Sequence, residues 1–248
     1  MDLLALLSEG KVDEFNMMKE PGVRLDLFAA DLAGLKLKGV DLTGANLQKA
    51  DLSNTDLSEA ELTQTDLSGA DLTETNLSGV SATRSRWRDA YLGEADLSDA
   101  DLMGADFTDA DFTDAKAPRA LLSGARLKRA ILHNADFSTA DLAEARLPDA
   151  DLSGANLQGA QMREVDLSRA TLKGTKLGAT DLTRARMPNV DLSNADLAGA
   201  SLNSANLTSA VLSGAIVAGA DFTRADFTDA DLEGCDMTAA ITEEAEID

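Results

Sequence analysis

Residues 65–80 read TDLSGADLTETNLSGV, and the spacing within that stretch decides the fold. Leu67, Leu72 and Leu77 recur every five residues, each two places after a small residue (Thr65, Ala70, Thr75) and directly after Asp66, Asp71 or Asn76. The unit is Ala-[Asp/Asn]-Leu-x-x, repeated in Ala45-Asn46-Leu47 and Ala195-Asp196-Leu197. Working outward, the large residue falls in the same frame from Leu27 to Met237, which makes 43 units, 31 of them centred on Leu. The other centres are Phe, Met, Val217, Trp87, Ala82 and Ala117. The small position is Ala in 30 units and otherwise Thr, Val, Leu, Ser or Cys. Neither position ever carries a charge, so both face a dry interior. Nothing is inserted or deleted along the run.

A period of five fits neither an amphipathic helix, which needs apolar residues three and four apart, nor a plain strand. Within a unit the small and large positions lie two apart, so they point the same way in an extended segment. The next two residues, usually Ser, Thr or Gly and then a polar one, carry turn chemistry. Extended triplet and tight turn, repeated, wind the chain into stacked coils that satisfy one another's backbone hydrogen bonds.

Over residues 25–240 the chain resembles the bacterial pentapeptide-repeat proteins. That resemblance implies an all-β solenoid, a right-handed quadrilateral β-helix with four units per coil. About 11 coils at about 4.8 Å each give a rod roughly 50 Å long. Residues 1–24 read as a helical N-terminal cap of two short helices, DLLALL and KVDEFNMMKE, broken at Gly10. Leu3, Leu6, Leu7, Val12, Phe15 and Met18 would lie on the first coil as a lid, and Pro21-Gly22 leads into the rod. Residues 241–248 read as an acidic, frayed tail, which leaves the last coil's edge uncovered. Several family members dimerise head to head at that end. The resemblance therefore implies a homodimer through the C-terminal end, with Val211, Ile216 and Ile241 as contacts.

Two places depart from the consensus. In SATRSRWRDA the adjacent centres are Ala82 and Trp87, a small residue beside a large one, which conserves interior volume. Ala117 makes the same trade near Phe107, Phe112 and Phe137, and Pro118 beside it is expected to remove a ladder donor and loosen the rod.

Chemistry-bearing residues are scarce. His133 is the only histidine and sits in a turn, so no metal cluster or nucleophile–base pair can be assembled around it. Cys235 occupies a small interior position and reads as an inert buried thiol. Asp106, Asp109, Asp111 and Asp114 lack the known calcium-loop spacings, and Asp before Leu is the repeat's own consensus. The reading is no enzyme, no cofactor and no metal. A lone cysteine fits a reducing compartment. The N-terminus lacks the basic region of a signal peptide, and no apolar stretch is long enough for a span. The expected location is the cytoplasm, with no membrane partner.

A net charge of −22 argues against direct binding to nucleic acid. The residue before each centre is Asp or Glu in 23 of the 43 units. With four units per coil, Asp31, Asp51, Asp71, Asp111, Asp151, Asp191 and Asp231 share one face with Glu74, Glu94, Asp114 and Glu233 against a single base, Lys173. The face beginning at Asp26 balances nine acids with Lys49, Arg86, Arg88, Arg126, Lys128, Arg129, Arg146, Arg169 and Arg186. Residues 25–238 hold 35 acids and 19 bases. That is about one net charge per 3 Å of rod, roughly half the linear density of duplex DNA at about one per 1.7 Å.

Two functions follow. The first is a scaffold or adaptor that binds a protein partner through exposed apolar residues, Tyr91, Met103, Leu121 and Ile131, at positions where the consensus is polar. The second comes from the resemblance: quinolone-resistance and toxin-immunity members look like B-DNA to gyrase and related topoisomerases. The acidic face would then compete for the enzyme's DNA groove. The projecting loops of the quinolone-resistance members are missing here, and acids also serve solubility alone.

Overall fold

The computed structural model describes residues 3–20 and 22–247. Pro21, read above as part of the lead-in, lies outside the described residues with Met1, Asp2 and Asp248. From Asp26 onward the chain is a stack of four-sided coils in which each residue of a unit has one task. The unit is numbered with Asp/Asn as position 1 and Leu as position 2. Every bridge is parallel and pairs position 1 with position 1 of the fourth unit onward, as Asp26 pairs with Asn46 and Asn46 with Asp66. This register means four units per coil, as expected, and it never slips. Face 1 begins at Asp26, face 2 at Asp31, face 3 at Lys36 and face 4 at Asp41.

The backbone donors of a unit can be accounted for one by one. In the unit starting at Asn46, the position 1 N–H donates to Leu25 O in the preceding coil (2.8 Å). The N–H groups of positions 2 and 4, Leu47 and Lys49, donate to Asp66 O (2.7 Å) and Ser68 O (3.0 Å) in the following one. Position 5, Ala50, closes the turn onto Leu47 O (3.1 Å). Only position 3 has no backbone acceptor, and the position 1 side chain supplies one: Gln48 N–H donates to Asn46 Oδ1 at 3.2 Å. The Asp/Asn consensus thus supplies an acceptor to the one donor of the turn that the backbone leaves without one. Position 4 sits in the left-handed region at every turn from Ala29 to Gly234, as a type II turn demands, even where the residue is Thr139 (φ 56°) or Glu164 (φ 57°).

The contact between coils is a single bridge per unit, so the three extended residues expected per unit do not form continuous strands. Pro118 corrects a second expectation. It occupies position 3, whose N–H has no role in the ladder, as do Pro148 and Pro188. The ladder runs undisturbed past it, with Asp99 N–H donating to Pro118 O (3.1 Å) and Ala117 N–H to Asp136 O (2.7 Å).

The interior is a column of buried Leu and Ala. Where Thr replaces Ala, its hydroxyl finds a carbonyl in the preceding coil: Thr55 Oγ1 donates to Leu32 O (2.8 Å) and Thr175 Oγ1 to Leu152 O (2.8 Å). Trp87 is fully buried and stacks on Phe107, which meets Phe112, which meets Phe137, with ring centroids 5.5, 5.0 and 5.8 Å apart. The indole N–H donates to Ser85 Oγ (2.6 Å), and Ser85 donates its own hydroxyl proton to Ala82 O.

At the N-terminal end α1 spans Leu3–Ser8 and α2 spans Val12–Met18, separated by Gly10 in the left-handed region (φ 66°). Leu6, Leu7 and Phe15 join the core, whereas Met18, expected in the lid, is exposed. The open edge of the first coil is closed by a side chain. Asn16 Nδ2 donates to Gly39 O (2.9 Å), and its Oδ1 accepts from Asp41 N–H (2.9 Å). Lys19, nearly buried, reaches Asp41 Oδ1 at 2.8 Å.

At the other end the tail reading needs correction. Residues 241–247 continue the solenoid: Ile241 bridges Asp221, Glu246 bridges Asp226, and Glu244 repeats the left-handed turn. The irregularity comes earlier, where Met237–Ala239 form a short 3₁₀ helix and face 3 loses its bridge to Ile216. Leu232, Cys235, Met237 and Ala240 hold interior positions but are only half-buried, because no coil follows them in the described chain.

Candidate functional site

The structure gathers the seven predicted acids of face 2 into one column: Asp31, Asp51 and Asp71 bridge consecutively, and Asp111, Asp151, Asp191 and Asp231 follow at every second coil. Between them stand Tyr91, Ile131, Thr171 and Val211. All seven accept the N–H two residues on through Oδ1, at 2.9–3.3 Å, as the turn requires. One oxygen of each carboxylate is thus committed to the fold and the other is free of the turn. Ser53 Oγ–H and N–H hold the Asp51 carboxyl below the usual carboxylate range. Asp191 is lowered too: burial opposes the shift, and Ser193 with Lys173 (3.1 Å from Oδ2) outweighs it. His133 Nε2 lies 2.8 Å from Asp151 Oδ2.

The four apolar candidates do not form one surface. Tyr91 (57% exposed) and Ile131 interrupt the acid column on face 2, two coils apart. Met103 and Leu121 lie on face 4, across the rod. The dimer candidates Val211, Ile216 and Ile241 likewise fall on faces 2, 3 and 4. Closer to the rod's end are Leu232, Met237 and Cys235, which sequence reasoning placed wholly inside; Cys235 is only half-buried, and burial followed by Asp236 pushes its thiol up. The missing lid after Met237 was the one signal that pointed to them.

Charge on the remaining faces is arranged by coil. Arginines at position 4 reach back one coil, with Arg119 on Asp99 (2.7 and 2.6 Å) and Arg169 on Asp149 (2.7 and 2.9 Å). Arg224 instead reaches forward, to Glu244 (2.7 Å). Such exposed pairs add little stability. Among the described residues, no group of three or more His, Cys, Asp or Glu side chains is arranged to hold a metal ion, and no helix is long and apolar enough to cross a membrane.

The family model described as pentapeptide repeats (8 copies) matches in overlapping segments from residue 26 to residue 241. No curated protein sequence matches the chain. Among solved structures, QnrB1, described as a plasmid-mediated fluoroquinolone resistance protein, is 20% identical with a TM-score of 0.59, covering 76% of this chain and 93% of its own. HetL of Nostoc sp. strain PCC 7120, involved in heterocyst differentiation regulation, is 29% identical over 96% of this chain and 98% of its own, with a TM-score of 0.35. A pentapeptide repeat protein of the Arabidopsis thaliana thylakoid lumen is 28% identical over 48% and 72%, with a TM-score of 0.33.

Proposed function

Because the chain belongs to the pentapeptide repeat family, we propose that it is a non-enzymatic right-handed β-helical rod that binds a protein partner as a scaffold or adaptor. One observation carries the reading. Position 1 is where Asp or Asn accepts the position 3 N–H, yet Tyr91, Leu121 and Ile131 stand there, give up that bond and show apolar surface to water. A photo-crosslinking residue placed at Tyr91 or Met103 in the native cell should trap one protein in near-stoichiometric yield, and in lower yield when placed at Asn203. Equal, diffuse labelling at all three positions would refute the proposal.

The acid column supports a second reading, in which face 2 occupies a DNA groove of gyrase or a related topoisomerase. Its seven carboxylates each keep an oxygen outside the turn, and the resemblance to fluoroquinolone-resistance members points to the enzyme. Supercoiling by gyrase, titrated with and without a quinolone at two salt concentrations, tests it. Asp71→Asn, Asp111→Asn and Asp151→Asn remove charge while Asn keeps the turn bond, as Asn46 and Asn76 do. Salt-sensitive inhibition or protection lost in that triple variant supports mimicry, and no effect up to tens of micromolar protein excludes gyrase. The half-buried Leu232 and Met237 at the C-terminal end support a homodimer, which sedimentation of the wild type against Met237→Glu would read.

A further inference from the structure

One coil is the most basic of the rod, although Thr171–Val190 also sets four bases against one acid and Ser201–Ala220 holds no charge at all. Lys116–Ala135, a full turn of four units, contains Lys116, Arg119, Arg126, Lys128 and Arg129 and no acid, while the rest of the chain sets 17 bases against 44 acids. Its four position 1 residues are Lys116, Leu121, Arg126 and Ile131, the longest run of consecutive units lacking Asp or Asn there. All four are exposed, with Leu121 at 40% and Ile131 at 39%. At Lys116 the missing carboxylate leaves nothing unsatisfied, because Pro118 has no N–H. In the next three units it leaves the N–H groups of Ser123, Lys128 and His133 without an acceptor among the described residues. Arg119 and Arg129 are paired to Asp99 and Asp109 in the coil before, whereas Lys116, Arg126 and Lys128 have no ion-pair partner among the described residues. Arg126 bridges Arg146 on one side and, on the other, Asp106, whose carboxylate Arg88 already pairs; Arg146 in turn bridges Asp166.

We propose that this basic collar is the docking site for a short acidic segment of a partner protein that crosses face 1, its carboxylates on Arg126, Lys128 and Arg146 and the apolar side chains at its two ends reaching round the corners to Leu121 on face 4 and Ile131 on face 2. Charge complementarity selects the occupant. The collar is one coil thick, about 5 Å, and the coils on either side, residues 96–115 and 136–155, hold 7 and 5 acids. A continuous polyanion such as duplex DNA would overrun it onto the acidic coils on either side. A segment with a few clustered carboxylates fits within it, and the free N–H groups of Ser123 and Lys128 offer further donors to those carboxylates. The collar rests on the protein-binding reading and names the chemistry of the partner.

The test is fluorescence anisotropy with three labelled probes: the peptide Leu-Glu-Glu-Glu-Glu-Leu, the peptide Ser-Glu-Glu-Glu-Glu-Ser and a 20-bp duplex DNA. The full chain should bind the Leu-flanked peptide with a Kd of roughly 100 µM or below, ahead of the other two probes. Arg126→Glu with Lys128→Glu should weaken it at least about tenfold, and Leu121→Ser with Ile131→Ser about threefold. The same double reversal at Arg163 and Arg184, on face 4, should leave it unchanged. Should the charge-reversed pair fail to fold by circular dichroism, Arg126→Gln with Lys128→Gln replaces it. No peptide binding at 1 mM protein, equal loss in the Arg163/Arg184 variant, or preference for DNA overturns the collar. Specific crosslinking at Tyr91 or Met103 alongside such a failure would leave the adaptor reading intact and remove only this site.

Discussion

Trp87 is an indole in an interior built for Leu, and its accommodation depends on a second departure two residues earlier. Position 5 of that turn is Ser85 in place of Ala, and Ser85 Oγ accepts the indole N–H at 2.6 Å in a site where both residues are buried. Ser85→Ala restores the consensus residue and removes only one oxygen, so the cavity is negligible. It leaves a buried N–H unsatisfied, which costs about 1–3 kcal/mol. In a Trp87→Leu background the same change restores the consensus small and large residues on either side of Arg86, and its cost should fall to about zero. The expected coupling is thus about 1–3 kcal/mol, read from urea midpoints followed by far-ultraviolet circular dichroism in the wild type, both single variants and the double variant. Native-state hydrogen exchange at Leu67 N–H and Trp87 N–H, which donate to Arg86 O and Asp106 O, localises the effect to these coils. An equal cost of Ser85→Ala in both backgrounds, or a cost below about 0.5 kcal/mol beside Trp87, would refute the account.

Three further outcomes follow from the turn chemistry and the cap. Thr139→Gly should raise the melting temperature, because a β-branched residue at φ 56° is strained by about 1–2 kcal/mol and glycine's entropy cost recovers only part of it. Gly154→Ala should lower it, because φ 71° strains any residue with a Cβ, whereas the contact of that Cβ with Asn134 Oδ1 is relieved when the Asn134 side chain turns aside. On acidification, the carboxyls of Asp51 and Asp226 are held below their ordinary value by Ser53 and Thr228, so they bind protons less readily when folded. The stability they contribute is present above about pH 4 and is lost as pH falls below it. Melting in 0.5 M salt, which screens the general repulsion of the acids, should therefore be flat from pH 7 to 5 and fall below about 4. Asn16→Ala removes both bonds to the first coil's edge and should cost about 1–2 kcal/mol, with exchange accelerated at the Asp41 amide before any amide of the central coils.

The fold was legible because its signal is redundant: 43 units repeat one message, and any one of them can be misread without moving the frame. The exceptions show what periodicity cannot carry. Pro118 looked disruptive while the ladder was assumed to use every donor; the geometry reveals that position 3 donates neither to the ladder nor to the backbone of its own turn. Tyr91 and Leu121 looked like one surface because they hold the same position in a repeating chain. They are six units apart, however, which is one and a half coils and carries them to opposite sides. Cys235 looked buried because its position is interior, and burial also requires a following coil. The seven acids fall in one column because stepping four units along the chain finds the neighbour in the next coil. That Asp serves the turn before it serves any partner is a hydrogen-bond fact and became visible only with coordinates.

The fixed count of four units per coil makes the chain behave like a combination lock. Excising one whole coil shortens the rod and leaves every downstream column in line with its upstream continuation. Excising a single unit preserves the interior and the turns but rotates everything downstream by a quarter turn. The carboxylates after the cut would then continue a different face, and a partner spanning the junction would find half its contacts around the corner. Natural drift by one repeat is therefore silent for folding and decisive for recognition, so an unbroken frame over 43 units keeps distant residues facing the same way.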